Sequence, residues 1–336
     1  MAPSLDLTKT MLERIIPPVF GYMSPVPSFN LQMTLQDHIP RGHQTLPSSP
    51  TTISRTPLPP AHHMVYFEPC LPSNSLLPDG TNPAQSPGLP WKRRMWAGGR
   101  VVYNDGVQSL ELTGQRAVCA EFIRNVTFRG REGGEQKVFV DVERRIANAV
   151  EAEDGIFHEE DGEGYRSILH RVRQRLWRES PDDLGPCALV ETRTLVFLTE
   201  ESSQGSTKEE KILRPPRQDA MWTYTITPDA TLLFRFSALT NNAHAIHLDR
   251  EYCRTVEGHR NLLLHGPLTY VLMMTLLEPY LHGKRIRLAE YRNLAPLYAN
   301  ESVTFCGAPS GREGKWDVWA LNPKGGLAVK GSVIAE

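Results

Sequence analysis

Leu262-Leu-Leu-His-Gly-Pro-Leu-Thr-Tyr-Val-Leu-Met-Met-Thr-Leu-Leu-Glu-Pro-Tyr-Leu281 is the most apolar run of this 336-residue chain, and its reading decides the fold. A membrane span needs ~20 mostly apolar residues, whereas His265, Gly266, Pro267, Glu278 and Pro279 interrupt this one. The run predicts a helix of a soluble protein beginning near Gly266. Pro267 falls in its first turn, where a missing N–H costs nothing. Leu268, Val271, Leu272, Thr275 and Leu276 recur at helical spacing, and the positions between them are apolar too, Met273-Met274 as core filler. A helix apolar on every side is enclosed on every side. Four strands are predicted after it, at Lys284–Tyr291, Ser302–Gly307, Lys315–Leu321 and Gly326–Ile334. One enclosed helix followed by antiparallel strands describes a sheet wrapped around a helix.

That is the plan of the α+β hotdog fold; the absence of strand–helix–strand alternation argues against a doubly wound sheet. Upstream, Arg100–Tyr103, Arg116–Arg124, Gln136–Ile146 and Cys187–Leu198 read as strands, with Val138, Val140 and Val142 marking a period of two. Tyr165–Trp177 fits a helix or a strand. Glu151–Gly164 and Ser202–Glu210 read as loops. Of the 27 prolines, 17 fall within residues 1–90, so that third is neither mostly sheet nor long helix. Leu7–Ile16 predicts a short helix stopped by Pro17-Pro18, and Gly42–His62 an extended loop. Met64-Val-Tyr-Phe67, Trp91 and Trp96 would pack this segment onto a folded body. His62-His63 reads as surface or packing.

With 37 basic and 38 acidic residues the net charge is −1, which gives no footprint for nucleic acid or an anionic bilayer. The N-terminus lacks a secretion signal, and Asp6 and Glu13 argue against a transit peptide. An intracellular protein is expected, cytoplasmic or mitochondrial, not secreted and not in a membrane. Five scattered cysteines read as reduced thiols. The acceptor-like Asn125-Val-Thr127 and Asn300-Glu-Ser302 are then chance matches.

Chemistry concentrates in Phe236-Ser-Ala-Leu-Thr-Asn-Asn-Ala-His-Ala-Ile-His-Leu-Asp249, a turn-prone stretch read as following a strand. His247 suits a general acid/base because imidazole titrates near neutrality. The amide of Gly266, at a helix N-terminus, suits an oxyanion contact. His244-x-x-His247-x-Asp249 has metal-like spacing but no further ligand cluster, so no metal centre is expected; Asp249 reads as a loop support. Taken alone, His247 reads better as a hydrogen-bonded loop histidine than as a catalytic one.

The order of several motifs tips that balance. The chain resembles the MaoC-like hydratases and type 2 hydroxyacyl-thioester dehydratases, in their double-hotdog branch with mesaconyl-CoA hydratases and fungal relatives. Besides the segments above, the resemblance rests on Leu58-Pro-Pro-Ala-His-His-Met-Val-Tyr-Phe67, Pro78-Asp-Gly80, Arg93-Arg-Met-Trp-Ala-Gly-Gly99, Tyr291-Arg-Asn-Leu-Ala-Pro-Leu297 and Trp319-Ala-Leu-Asn-Pro-Lys-Gly-Gly326, and spans residues 58–336. It implies two hotdog repeats, expected at 1–155 (degenerate, with the proline-rich leader) and 156–336 (catalytic). It also implies a hydro-lyase acting on a 2-enoyl or 3-hydroxyacyl thioester of CoA or acyl carrier protein, needing no cofactor. A homodimer is compatible with it. His247, Asn242 and Gly266 become the catalytic candidates. His244, His265, Trp96, Gly98, Gly99, Arg93 and Arg94 become the substrate contacts: the glycines admit a ligand to the backbone, and the arginines, with Lys92, meet the phosphates of the carrier arm. Read from its own position, His265 suits a hydrogen bond to backbone better than a substrate contact.

One position departs from the wider family, though the double-hotdog branch shares it, and two depart from that branch. Single-hotdog members carry aspartate where Asn242 stands, and an amide takes no proton, but the double-hotdog branch also carries Asn there; Ala245 and Asn241 stand where that branch commonly has a basic and a large apolar residue. These changes keep two other readings in view, a dehydratase or cyclase redirected to a secondary-metabolite intermediate and a non-catalytic acyl-ligand binding module.

Overall fold

The helix expected at Gly266 is Gly266–Leu277, and nine of its twelve side chains are buried. Each fully buried Leu, Val or Met contributes about 1.5–3 kcal/mol, so enclosure of this one segment is a large part of what holds the sheet around it. The computed structural model describes residues 3–41, 43, 49–50, 56–104, 109–130, 136–153, 162–199 and 212–336. The loop read at Ser202–Glu210 and most of those at Glu151–Gly164 and Gly42–His62 lie outside the described residues.

In chain order the elements are α1 (Pro3–Leu12), β1 (Val19–Tyr22), α2 (Pro25–Leu35), β2 (Arg93–Tyr103), β3 (Arg116–Arg129), β4 (Lys137–Asn148), α3 (Glu163–Leu176), β5 (Leu189–Leu198), β6 (Trp222–Ile226), α4 (Ala230–Leu239), α5 (Arg250–Thr255), α6 (Gly266–Leu277), β7 (Ile286–Asn293), β8 (Val303–Pro309), β9 (Lys315–Leu321) and β10 (Leu327–Ala335). The undecided segment 165–177 is helical because Ile168, Val172 and Leu176, four residues apart, bury one stripe against Val118, Ala120 and Phe122 of β3. In the proline-rich third, α2 forms with Ser24 as N-cap and Pro25 at its start, where proline is harmless.

The ten strands make one continuous antiparallel sheet in the order β1-β3-β4-β5-β2-β7-β10-β9-β8-β6, rather than two separate sheets. Read from either edge the pattern is the same: β1-β3-β4-β5-β2 from one, β6-β8-β9-β10-β7 from the other. The halves join where β2 pairs with β7 through Gly98–Val102 and Leu288–Arg292. A division at 155/156 would cut through the first group, because β5 lies between β4 and β2. Along the chain the first group ends with β5 at Leu198 and the second begins with β6 at Trp222.

The groups differ in what fills them. Between α4 and β7 the second has the 12-residue α6, whereas between α2 and β2 the first has, among the described residues, only single 3-10 turns such as His62–Val65 and Pro83–Gln85. That irregular stretch of the first group, running from Met64 to Gln85, walls a cavity against the second. No helix among the described residues is long and apolar enough to cross a membrane. The five cysteines are free, and four of them are buried.

Candidate active site

The segment 236–249 begins in the last turn of a helix, α4, and does not follow the expected strand. Asp229 caps α4 by accepting from Leu232 N, and Leu232, Leu233 and Phe236 bury its inner face. The helix ends because Asn241 takes φ +48, a left-handed value that Asn tolerates better than most residues. Asn242 N then bonds back to Ser237 O at 2.9 Å, and a 3-10 turn, Ala245–His247, presents the histidine.

His247 is buried, and its Nδ1 lies 2.8 Å from Leu263 O. A carbonyl only accepts, so Nδ1 donates and carries the proton, leaving Nε2 with a lone pair. The ring stacks on His265 at 3.6 Å between centroids, and the His244 ring meets it edge-on at 5.6 Å. Burial drives the His247 imidazole down to about 4, the Leu263 carbonyl opposing and the Arg94 charge adding to the fall. It is therefore neutral at pH 7. Burial first, then His247 and Arg94, also hold His244 well below its ordinary value.

His247, Asn242, Gly266, His244, Trp96 and Arg94 all border one cavity of about 490 Å³, within the usual range for small-molecule sites. Asn242 Oδ1 accepts from His244 N at 3.0 Å, so its NH₂ is the group left for a ligand. Gly266 is the first residue of α6, where backbone N–H groups have no acceptor within the helix. A Cβ there would lie 2.6 Å from Asn293 Nδ2 and 3.0 Å from Trp96, so any side chain would have to displace the Asn293 amide and press on the indole.

Other expected contacts serve elsewhere. His265 is fully buried, bonds the Ser237 hydroxyl through Nε2 at 2.8 Å, and is the shelf beneath His247. Gly98 and Gly99 are not on the cavity wall; they allow close strand packing, since a Cβ would lie 2.3 Å from Tyr291 O at Gly98 and 2.9 Å from Thr192 O at Gly99. Arg93 points away to Glu257, with Nε–Oε2 at 2.5 Å and Nη2 to the carbonyl at 2.9 Å. Asp249 caps α5 through Tyr252 N and is no partner to either histidine in a metal-like set. His62 and His63 are buried packing residues.

Asp79 carries a role that residue types alone did not assign. Its carbonyl accepts from Ala245 N at 2.8 Å, its Oδ1 accepts from Thr81 N and Oγ1, and its Oδ2 stands 3.6 Å from His244 Nε2. The Asp79–Thr81 turn thus clamps the histidine loop from the other half of the sheet. Pro78-Asp-Gly80 was its only trace in the sequence.

Comparison with known proteins fits this geometry. The family model for hydroxyacyl-thioester dehydratase type 2 matches residues 61–166 and 158–299. A mesaconyl-C(4)-CoA hydratase of Chloroflexus aurantiacus is 32% identical over 293 residues, covering 85% of this chain and 87% of that protein. The chain belongs to the type 2 hydroxyacyl-thioester dehydratase family. A second member, the mitochondrial hydroxyacyl-thioester dehydratase type 2 of Schizosaccharomyces pombe, is 26% identical over 301 residues, 86% of this chain and 89% of its own. The crystal structure of a MaoC-like dehydratase from Phytophthora capsici superposes with a TM-score of 0.60 at 12% identity over 98% of both chains, which establishes the hotdog fold. As a member of this family the protein is an enzyme of the hydro-lyase kind.

Proposed function

We propose that the protein reversibly hydrates 2-enoyl thioesters, or dehydrates the 3-hydroxyacyl forms, carried on CoA or acyl carrier protein. His247 is the acid/base. Its Nε2 takes a proton from water as the water oxygen bonds to C3; the C2–C3 π electrons shift to C2 and the thioester oxygen. The Gly266 N–H meets that growing negative charge at the positive end of α6. The imidazolium then returns its proton to C2. A buried imidazolium is a strong acid, which favours the return. Asn242 donates its NH₂ to the attacking water and needs to hold no proton. The single observation behind this reading is the tautomer: Leu263 O occupies Nδ1 and leaves Nε2 basic within a cavity that also holds a helix N-terminus.

We read the chain as two hotdog repeats, dividing between Leu198 and Trp222, with α6 enclosed in the second. The repeated strand order about the β2–β7 pair supports this. The first repeat then completes a site whose chemistry lies in the second.

The test is loss of the conjugated thioester on incubation with crotonyl-CoA. His247→Ala should lower kcat by about 100-fold or more with the circular dichroism spectrum kept. Full activity in that variant, or a wild type that ignores every enoyl thioester while converting another intermediate, overturns the assignment.

A further inference from the structure

We propose that His244 is a second catalytic imidazole, which accepts a hydrogen bond from the attacking water through Nδ1, and that Asp79, from the other half of the sheet, is the positioning residue that fixes its tautomer. The inference rests on the hydratase reading and deepens it by assigning the water a further partner.

The two side chains face each other with nothing else to bond. His244 Nε2 and Asp79 Oδ2 are sealed from solvent, neither has a hydrogen-bond partner among the described residues, and they stand 3.6 Å apart. Both residues are more than nine-tenths buried. Proteins leave few such atoms unpaired in their interior, because each forfeits the bonds it made to water. A side-chain movement of roughly half an ångström closes this gap to the ordinary hydrogen-bond range, as catalytic contacts close when a substrate orders them. The direction of the contact is already set. Asp79 Oδ1 accepts from Thr81 N at 3.0 Å and Thr81 Oγ1 at 2.7 Å, which leaves Oδ2 turned to the histidine. His244 donates its own N–H to Asn242 Oδ1, and its carbonyl accepts from His247 N at 3.1 Å.

Chemistry then fixes the ring. A carboxylate oxygen only accepts, so Nε2 carries the imidazole proton and Nδ1 keeps the lone pair. Burial holds His244 well below its ordinary protonation range, so the ring has no second proton. His244, Asn242 and His247 are on the cavity wall and Asp79 is behind it, so the carboxylate reaches the water only through His244. With Nε2 turned back to Asp79, Nδ1 is the ring nitrogen left for the cavity. His247 is locked the other way, its proton on Nδ1 against Leu263 O. The two rings, edge-on at 5.6 Å between centroids, thus offer two lone pairs to one water, and Asn242 offers its NH₂. A water has two protons and needs an acceptor for each. One moves to His247 Nε2 as the C3–O bond forms. The other is held by His244 Nδ1, stays on the oxygen and becomes the hydroxyl proton of the product.

Nitrogen-15 NMR of the full-length protein, labelled in histidine, reads the tautomers directly, with the His244 signals assigned by their loss in His244→Ala. The expected spectrum has the proton on Nε2 of His244 and on Nδ1 of His247. Asp79→Asn keeps an oxygen for Thr81 and turns an NH₂ on the ring, which forces the His244 proton to Nδ1 and aims a donor at the water. Its kcat for hydration of crotonyl-CoA should fall by about 100-fold, with KM little changed. His244→Ala should lose as much, and adding Asp79→Asn to it should cost nothing more, since the carboxylate works through the ring. The same spectra show that each variant is folded. Full activity in Asp79→Asn, or a wild-type His244 with its proton on Nδ1, overturns the proposal. So does a further loss in the double variant, which would reduce Asp79 to a clamp on the loop. If the wild type hydrates no enoyl thioester, yet the His244 proton sits on Nε2 and shifts to Nδ1 in Asp79→Asn, the hydratase reading fails and the Asp79–His244 pair stands. Hydration undiminished by Asp79→Asn is the opposite result.

Discussion

Two neighbouring arginines show what single residues disclose. Arg93 and Arg94 are the same side chain one position apart, yet one is neutralised and the other is free. The difference lies in Glu257, 164 positions from Arg93, and long-range pairing leaves no mark on local pattern. That His247 and Gly266 belong to one candidate site was legible because their signals are local: a histidine in a turn-prone stretch, and a glycine opening an apolar helix. The environment of His247 was not, since its depressed protonation range comes from burial by residues remote in sequence. That range has a kinetic consequence. His247 must be neutral to accept a proton from water, so kcat/KM for hydration rises with pH through about 4 and is level by neutrality. A solvated imidazole would put the limb near 6.5. Initial rates with crotonyl-CoA from pH 4 to 8, taken where circular dichroism shows the fold intact, distinguish the two. A limb near 6.5 would mean that water reaches the ring.

Periodicity found α6 and the four strands after it within two or three residues at most ends, and Lys315–Leu321 matches β9 at both ends, but it gave no sign of β6 or α5. It misplaced the element before the active-site loop, because Ala230–Leu239 is apolar enough for a strand and only the Asp229 cap and the Leu232, Leu233, Phe236 stripe favour a helix. The turn that clamps the loop was invisible as an element, being two residues of contact between distant segments. Its energetics are nevertheless sharp. Gly80 has φ +83, and a Cβ on it would lie 2.0 Å from the carbonyl oxygen of Ala243, in the histidine loop. Backbone cannot yield as a flexible side chain would. Gly80→Ala therefore carries left-handed strain of about 1–3 kcal/mol and pushes the 243–247 segment outward. A misplacement on the order of 1 Å costs up to ~100-fold in rate. The expected outcome is a kcat/KM loss far larger than the accompanying fall in Tm of a few degrees; equal activity in the variant would show that the clamp does not position His247.

The whole molecule combines two charge economies with opposite responses to acid. The first half holds a buried network in which Arg144 meets Glu68, Glu121 and Glu191. Despite the cost of burial, Arg193 and Arg144 hold the Glu191 carboxyl down to about 2. Its contribution, present above the ordinary carboxylate range near 4.5, is lost only as pH falls from there toward 2. The histidines behave otherwise. Burial brings His62 to about 3, and His63, His247 and His259 to about 4, and puts His244 and His265 well below their ordinary value. Each is neutral when folded and free to protonate near 6.5 when unfolded. The unfolded chain therefore gains protons that the native one refuses as pH falls from 6.5 toward 4, and stability drops across that window. Each such histidine adds up to about 1.4 kcal/mol per pH unit, so half of them acting fully give roughly 4 kcal/mol per unit, against a total stability of about 5–15 kcal/mol. The acid midpoint should then lie between pH 4 and 6, before the arginine-held carboxylates titrate. Urea unfolding followed by tryptophan fluorescence at pH 7, 6 and 5 measures the slope. A stability that stays flat to pH 4.5 and collapses only below it would assign acid lability to the carboxylate network instead, and would mean that these imidazoles are hydrated in the native protein.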